Sequence, residues 1–429
     1  MNRALAQEIV GFLRVSGSPV NNLARLQEYP RENWHQASTW LDLSGLALGF
    51  YARLQRLGAE EAIPYGMAAC LAKNCAEHRA RIAAMSNEFN TINGRFEDAG
   101  VEYAALKGFT LVPDYCPDAT LRPTYDYDYL ISERAASAAE EVLRAAGFVR
   151  KQDRRAGHHA VFVPARPLVR ETSTRRSLYS PALPRKVELH TSLWDEEELR
   201  VPLHIPQRPL DRRVRRQWDG QEFYALSEVD AFIFQALHTF QHILHNWCRL
   251  GWLWDVACFL ERRSSDENFW TSLFASLEGN KLLTEVVAMV MTLASGVFHA
   301  PIPNAMKGRY RDAMRGQVSL WIERYGWASA LDNFANNKYT LFLHREFVPS
   351  AAVWREIRKR RLLPLHRPNR VAGTGSPSNL PSSRRGWAQG RHVIQRFIHH
   401  AVSGARYALE SRRWERMREV MSGPGLPAE

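Results

Sequence analysis

The 429-residue sequence predicts an α+β protein in which a small mixed sheet with its own helices is flanked by N- and C-terminal helical regions. Apolar residues recur at helical spacing before residue 95 and again after residue 227. Between these regions, short apolar runs and period-two alternation are typical of strands. The composition, 45% hydrophobic and 24% charged, is that of an ordinary globular protein and excludes wholesale disorder.

The elements predicted before residue 101 are helices. The leucine-rich stretch at 41–57 has the apolar spacing of a helix that buries one face. Pro64 precedes a second helical stretch, which ends at Gly100. We therefore expect helices throughout this part of the chain.

The next segment alternates strand and helix signals. The apolar run at 101–106 predicts a strand, and 109–115 predicts a short helix after it. Residues 125–131 alternate in period two and predict a second strand, while Ser132 is placed to cap a helix over 133–146. Further strands are predicted at 148–150, 160–163 and 186–190. This order describes a compact α/β unit.

Helical patterns return at Ser227, which with Asp230 resembles a capping box, and continue to about residue 361. Residues 364–385 are rich in Pro, Gly, Ser and Arg, which predicts a linker. The predicted organisation is an N-terminal helical region at 1–95, an α/β core at 96–200, a C-terminal helical domain at 201–362, a flexible linker at 363–386 and a basic helical tail at 387–429.

The net charge of +12, from 57 Lys and Arg against 45 Asp and Glu, is concentrated in two segments. Residues 350–429 carry a net charge of +11 and residues 150–216 carry +8, so the rest of the chain is mildly acidic. A basic protein suggests nucleic acid as a partner, but a charge confined to two segments calls for a local explanation.

Cysteine usage and apolar runs indicate a cytoplasmic protein. The five cysteines are scattered without a CxxC pair, which makes zinc ribbons and disulfide frameworks improbable. Residues 286–300, the longest apolar run, are too short to span a bilayer. The first residues include an early Glu8 and lack a clean apolar segment, so we expect no signal peptide.

Three carboxylates on predicted strands suggest chemistry. Asp126 and Asp128 lie two residues apart and therefore point to one face of their strand. Glu188 lies on a later strand between Val187 and Leu189, which would point the opposite way into the core. Like charges on one face are costly unless a cation neutralises them, and Mg²⁺ favours carboxylate oxygens. An acidic pair on a strand is otherwise often a solvated face.

Basic and flexible residues lie close to these carboxylates in the sequence. Lys107 and Gly108 follow the first strand and open a helix, an arrangement that suits phosphate, although Lys-Gly is also a common turn. Arg122 precedes Asp126 by four residues, so that it could contact phosphate or pair with Asp126.

Taken together, these motifs resemble a known family. LKGFTL at 106–111, RPTYDYDYLI at 122–131 and VELHTSLW at 187–194 occur in this order. They are followed by LHTFQHILHNWCRLGWLWDVACFL at 237–260. The pattern is similar to the bacterial uncharacterised nucleotidyltransferase family, a branch of the polymerase-β-type nucleotidyltransferase superfamily, and covers most of residues 30–260.

The resemblance implies a polymerase-β-type core and transfer of an NMP from an NTP, expected to be ATP, to an unidentified hydroxyl acceptor, an EC 2.7.7-type reaction. Asp126 and Asp128 match the two metal-binding aspartates, for Mg²⁺ or Mn²⁺. Glu188 matches the third carboxylate, which helps to deprotonate the acceptor. Lys107 and Gly108 stand where the superfamily has a Gly-Ser pair, and the serine is absent here.

A second cluster follows on a predicted helix, where His238, His242 and His245 can share one face. It could be a packed interface, a wall facing the substrate, or a zinc site, although no cysteine ligand is well placed. His190 could orient Glu188, close the pocket or simply pack. The nucleotide-binding set we assign is Lys107, Gly108, Arg122, His190, His242 and Asp255.

Two rival functions remain. The fold could serve as a non-catalytic nucleotide-sensing or partner-binding module, or the enzyme could act on RNA through its basic tail. The tail carries Trp387, Phe397, Tyr407 and Trp414, which suit base stacking or packing on the body. The basic loop at 164–184 could steer an anionic substrate or be a solvated loop. The expected partners are an NTP and a small-molecule or protein acceptor, with nucleic acid less favoured and no membrane span.

Overall fold

The computed structural model describes residues 2–151, 159–165, 177–303, 308, 312–331, 337–363 and 382–422. Most of the predicted linker at 363–386 lies outside the described residues, and so does the centre of the basic loop at 164–184. The arginines of that loop that are not described are Arg166, Arg170, Arg175 and Arg176.

Helices occupy most of the chain before residue 99, as predicted. They are α1 (Arg3–Phe12), α2 (Val20–Leu26), α3 (Arg31–Ser44), α4 (Ala47–Arg56) and α5 (Tyr65–Asp98). A 3₁₀ turn at Glu60–Ala62 precedes α5. Pro64 stands just before α5, where its missing N–H costs no helical hydrogen bond.

In the described residues, seven strands form one mixed sheet, which makes the fold α+β as predicted. The strands are β1 (Tyr103–Ala105), β2 (Asp126–Ile131), β3 (Phe148–Arg150), β4 (His159–Pro164), β5 (Lys186–His190), β6 (Val214–Trp218) and β7 (Gln221–Ala225). Their order across the sheet is β3-β4-β5-β2-β1-β7-β6. The β2–β5 and β1–β7 pairs are parallel, and the other neighbouring pairs are antiparallel.

The register of β2 and β5 sorts their side chains between two faces. Tyr127, Tyr129, Val187 and Leu189 are all buried on the face that packs against α5. The Phe89 ring of α5 lies 6.1 Å from the ring of Tyr127 and 6.0 Å from that of Tyr129, measured between centroids. The predicted alternation is therefore confirmed, and it leaves the acidic residues of both strands on the other face.

The hairpin β6–β7 is not anticipated by the sequence reasoning, because β6 is largely exposed and rich in arginine rather than apolar. Its two-residue turn consists of Asp219 at φ 50° and Gly220 at φ 74°. Two positive φ angles are what a type I′ turn requires. The hairpin extends the sheet beyond residue 200, with β7 beside β1.

Helices make up most of the remaining described chain. Two of them lie between strands: α6 (Ala136–Ala145) between β2 and β3, and α7 (Glu196–Leu199) between β5 and β6. After the last strand come α8 (Glu228–Leu244), α9 (Leu250–Arg262), α10 (Glu267–Leu277), α11 (Lys281–Phe298), α12 (Gly316–Trp321), α13 (Trp327–Leu331), α14 (Thr340–Phe347), α15 (Ala351–Leu362) and α16 (Ser382–Ser422). A π-helical turn at Ile322–Gly326 joins α12 to α13. Short 3₁₀ turns lie at Gly108–Leu111, where a short helix is predicted, and at Ala119–Leu121, Glu133–Ala135 and Pro209–Arg212.

Three hydrophobic cores hold the described layers together. One lies between the sheet and α5 and contains Phe89 and Phe96. The largest is built mainly by helices and includes Phe50 of α4, Leu237 of α8 and Val287 of α11, all fully buried. A third, smaller one lies between β1, β2 and α8. The helices before and after the sheet thus share the largest core, because their apolar faces are buried against each other.

Helix α11 is long and apolar enough to cross a membrane by length and composition, but 67% of it is buried inside the protein. It packs against α8 and α9 within the helical core. This placement is that of a central core helix.

Helix α16, the basic tail, packs on the body. Tyr407 is 7% exposed and Trp414 fully buried, whereas Phe397 on the same helix is 57% exposed. Arg324 of the π turn pairs with Glu410 at 2.8 Å, and Arg418 pairs with Glu346 at 2.7 Å. Two of the tail aromatics considered for base stacking are therefore part of the hydrophobic core, and the side chain of Trp387 is not described.

Candidate active site

The parallel pairing of β2 with β5 builds the centre of the site. Asp128 lies directly beside Glu188 in the register, and Asp126 lies beside Lys186. Carboxylate and imidazole ligand atoms of Asp128, Glu188 and His190 all lie within 4.8 Å of one another. Alternate residues of a strand share a face, so β5 contributes both Glu188 and His190. Among the described residues, Asp126 lies outside that close group.

Asp128 is the most contacted member of the site. Its Oδ1 accepts a hydrogen bond from Lys107 Nζ at 2.9 Å and lies 3.1 Å from His190 Nε2. Its Oδ2 is buried and has no hydrogen-bond partner in the described part of the chain. Lys107, predicted to face phosphate, thus neutralises a carboxylate here, and His190 contacts Asp128.

The charges of Asp128 and Lys107 stabilise each other. Burial alone would raise the pKa of Asp128, but the Lys107 ammonium and the His190 hydrogen bond outweigh burial and lower it. Burial would likewise lower the pKa of Lys107, but Asp128, Asp126 and Glu188 raise it. Both groups are therefore charged at neutral pH.

The other two carboxylates lack enough positive charge. The pKa of Asp126 is raised by burial and by the negative charge of Asp128. The pKa of Glu188 is raised by burial, by Asp128 and by Asp126. Three acidic groups thus repel one another around Lys107, and Lys186 and Arg122 offset only part of the rise in the pKa of Asp126. The described site therefore has an excess of negative charge.

Gly108 supplies the backbone geometry behind Lys107. It has φ 68°, in the left-handed region, and begins the 3₁₀ turn that follows β1. A Cβ at this position would lie 3.5 Å from Thr124 Cγ2, which is an ordinary contact. The glycine is therefore needed for its backbone angle rather than for space.

Arg122 and Asp255, both assigned to nucleotide binding, pair with each other. Arg122 Nε lies 2.7 Å from Asp255 Oδ2 and thereby connects the loop before β2 to α9. The sequence suggests that Arg122 contacts phosphate or pairs with Asp126. In the structure its ion pair is with Asp255 instead of Asp126. Burial raises the pKa of Asp255 in spite of Arg122.

Arg81 of α5, which the sequence reasoning misses, positions both strands. This fully buried arginine donates from Nε to the Thr124 carbonyl at 3.0 Å, just before β2. Its Nη1 donates to the carbonyls of Ser180 and Leu183 at 3.1 and 3.0 Å, ahead of β5. The loops that lead into the two acidic strands are thus held by one side chain, whose sequence pattern is that of any helical arginine.

Helices α8 and α9 form a wall beside Lys107. The His238 and His242 rings lie 4.8 and 4.3 Å from that of Trp252, between centroids. Burial and then the Lys107 charge lower the pKa of both histidines, that of His242 to about 3, so both are neutral. Their Nδ1 atoms are buried without a hydrogen-bond partner among the described residues.

The wall also contains Arg249, which the sequence reasoning leaves unassigned. Arg249 stands at the N-cap of α9 and lies over the rings of three aromatic residues. A signal was present, since WCRLGW places an arginine between two tryptophans next to the histidine helix. The described residues bring together one group able to hold a metal, the set around Asp128, and it does not include the three helix histidines.

A family model described as uncharacterised nucleotidyltransferase matches residues 30–299. The chain belongs to this family. The match spans α3 to α11 and therefore includes the whole sheet, the acidic site and the wall of α8 and α9. No curated protein and no solved structure matches the chain. Membership identifies the protein as a transferase with a nucleotide substrate, and the nucleotidyltransferase match stops before the basic tail.

Proposed function

We propose that this nucleotidyltransferase moves an NMP from an NTP, with ATP as the expected donor, to a hydroxyl-bearing acceptor. The acceptor oxygen forms a bond to the α-phosphorus, the bond from that phosphorus to the bridging oxygen breaks, and pyrophosphate leaves. The observation that carries the proposal is the parallel register that places Asp128 beside Glu188, with Asp126 on the same strand face. We assign the fold to the polymerase-β-type superfamily on the same grounds.

The residues of the site fit a divalent cation. Asp128 has a buried oxygen with no hydrogen-bond partner among the described residues, and the raised pKa values of Asp126 and Glu188 show a local shortage of positive charge. Oxygen-rich sites of this kind suit Mg²⁺ or Mn²⁺, and these three carboxylates would hold the ion. Such an ion would supply Lewis-acid stabilisation of phosphoryl charge.

The chain's own groups have separate roles in this proposal. Glu188 accepts the proton of the acceptor hydroxyl, for which a carboxylate with a raised pKa is better suited than an ordinary one. Lys107 and His190 fix the orientation of Asp128 through its Oδ1. The Arg122–Asp255 pair holds the loop that leads into β2. Catalysis then depends on alignment and charge, as in phosphoryl transfer generally.

We also propose a cytoplasmic location. All five cysteines are free, and three of them, Cys75, Cys116 and Cys248, are buried. Reduced, unpaired cysteines are what a reducing compartment maintains.

The decisive experiment incubates the purified protein with each α-labelled NTP and Mg²⁺ or Mn²⁺ in a cell extract. Mass spectrometry then identifies metabolites or proteins that gain an NMP. Pyrophosphate release coupled to an adduct supports the proposal. Magnesium-dependent nucleotide binding with neither product would instead indicate the non-catalytic module.

A further inference from the structure

Arg249 is a cation without an acidic partner in the described part of the chain. Its guanidinium carbon lies 5.3 to 5.7 Å from the centroids of three rings, here called the aromatic cage: Tyr125, Trp247 and Trp252. Its Nε is buried and has no hydrogen-bond partner among the described residues. The residue as a whole is half-buried. Polar atoms removed from water normally have a hydrogen-bond partner. The unpartnered Nε is therefore a sign of a ligand.

The position of Arg249 connects it to the acidic site. Tyr125 of the cage immediately precedes Asp126. The charges of both Arg249 and Lys107 act on His242, so the two cations lie along one wall. Arg249 also lines a small pocket with Arg122 and Asp255. Arg249 thus lies on the wall that carries His242, next to the loop that leads into β2.

The surroundings hold the guanidinium in place. Its Cδ packs about 4.0 Å from where a Cβ would stand on Gly45, at the end of α3. Stacking on the rings restricts the planar guanidinium group. A guanidinium that is already fixed in position loses less entropy when it binds an oxyanion. The geometry is therefore that of a preorganised anion receptor.

We propose that Arg249, held on its aromatic cage, binds a phosphate-type anion of the substrate. The inference rests on the proposed function and deepens it. The anion belongs either to the triphosphate of the NTP or to an acceptor that carries a phosphate. Arginine recognises such groups through paired hydrogen bonds, and the unpartnered Nδ1 atoms of His238 and His242 offer neutral polar contacts beside it.

The test measures anion binding by calorimetry on the full chain, with Mg-ATP, tripolyphosphate, orthophosphate and adenosine as probes. Arg249→Met should weaken binding of at least one phosphate probe about 10- to 100-fold, the range expected for a lost charge-assisted hydrogen bond. Adenosine binding should not change. The control Arg144→Met removes an exposed arginine of α6, with a side chain 64% exposed, and should leave all four unchanged.

The probes also distinguish the two sources of the anion. Loss of tripolyphosphate and Mg-ATP binding assigns Arg249 to the donor, whereas loss of orthophosphate binding alone assigns it to the acceptor. Arg249→Lys keeps the positive charge but lacks the planar guanidinium group, so it should give an intermediate loss of affinity. This variant still tests the inference if Arg249→Met does not fold. Wild-type affinities in both variants, or no anion binding by the wild type, would overturn the inference. Failure of the proposed function is separate, because phosphate binding needs no NMP transfer.

Discussion

The two oxygens of Asp128 have different surroundings. Oδ1 contacts Lys107 and His190, whereas Oδ2 is buried and has no hydrogen-bond partner among the described residues. The aspartate can therefore bind a cation through Oδ2 without releasing Lys107. Within the described residues, its neighbour Asp126 has no ion pair of this kind, and the charge of Asp128 together with burial raises its pKa. The two aspartates of the motif should consequently respond differently to substitution.

Asp126→Asn should reduce NMP transfer by at least about 10²-fold, because a charged ligand of the cation that would stabilise the phosphoryl charge is lost. It should also raise the thermal midpoint of the metal-free protein, since one of three repelling charges is removed. Transfer assays and thermal scans with and without Mg²⁺ check both effects. Glu140→Gln on α6 is the matched control and should leave transfer unchanged. Normal turnover in the Asp126 variant would refute the metal assignment.

Asp128→Asn should destabilise the fold by about 3 kcal/mol, because the buried Lys107 would lose the carboxylate that contacts it directly. The double variant Asp128→Asn/Lys107→Met should recover most of this loss. A double-mutant cycle from urea denaturation measures the coupling. Additive effects of the two substitutions would show that the ion pair contributes nothing to stability.

The pH dependence of stability should reveal the crowded carboxylates. Because the folded pKa of Glu188 is above its unfolded value, its contribution to the free energy of unfolding falls as pH rises above the ordinary carboxyl range. The lowered pKa of Asp128 acts with the opposite sign, so only a difference between variants isolates Glu188. Glu188→Gln should therefore gain stability relative to wild type more at about pH 7 than at about pH 4. A constant difference between denaturation curves would contradict this.

At the scale of elements, strands are predictable from the sequence where apolar and polar side chains alternate. They are not predictable in this way where most side chains of the strand are exposed to solvent. Residues 125–131 alternate cleanly because both faces of β2 have defined environments. The hairpin β6–β7 is mostly exposed and shows no clear alternation in β6, yet Asp219-Gly220 between two short runs is a recognised hairpin signal. Local turn chemistry, rather than hydrophobicity, was the usable information there.

The candidate site was predictable only in part. Asp126, Asp128 and Glu188 could be grouped from strand spacing, and the structure adds Asp128 and Glu188 as register neighbours. The bond from Lys107 to Asp128 and the Arg122–Asp255 pair depend on how separate elements meet, over distances no local pattern encodes. Tertiary ion pairs of this kind follow from the fold.

The junction of α3 with α9 depends on Gly251. A Cβ there would lie 3.1 Å from the carbonyl oxygens of Ser44 and Gly45, which belong to backbone and cannot rotate away. Gly251→Ala should cost about 1–3 kcal/mol in urea denaturation and weaken substrate binding, since Arg249 is two residues away. Gly94→Ala, near the C-terminal end of α5 with open space around it, should instead stabilise by about 0.4–1 kcal/mol. Equal effects would contradict this packing argument.

At the scale of the whole molecule, the positive charge has a structural use. Part of the positive charge of the tail is neutralised by acidic residues of the body, as in the Arg418–Glu346 pair. An acidic residue of the tail also pairs with an arginine of the body, as in Glu410–Arg324. The site itself holds excess negative charge, and Arg249, on the wall formed by α8 and α9, is held by aromatic rings. Net charge alone therefore does not indicate the partner.

Two aromatic residues of α16 should differ sharply in their contribution to stability. Trp414 is fully buried and its ring lies 5.3 Å from that of Phe342, between centroids. Trp414→Ala should cost about 3–5 kcal/mol in the free energy of unfolding. Phe397→Ala, at an exposed position, should cost less than about 0.5 kcal/mol. Chemical denaturation of both variants provides the measurement, and similar costs would mean that the tail does not pack on the body.

The parallel pairing of β1 with β7 has a practical consequence for dissecting the molecule. A fragment cut near residue 200 would keep every carboxylate of the site and still lose the strand that covers one side of β1. Its freed edge would present unpaired backbone groups to other chains and invite aggregation. Recombinant fragments meant to retain the acidic strands should therefore extend past Ala225, and those meant to retain Arg249 should include all of α9.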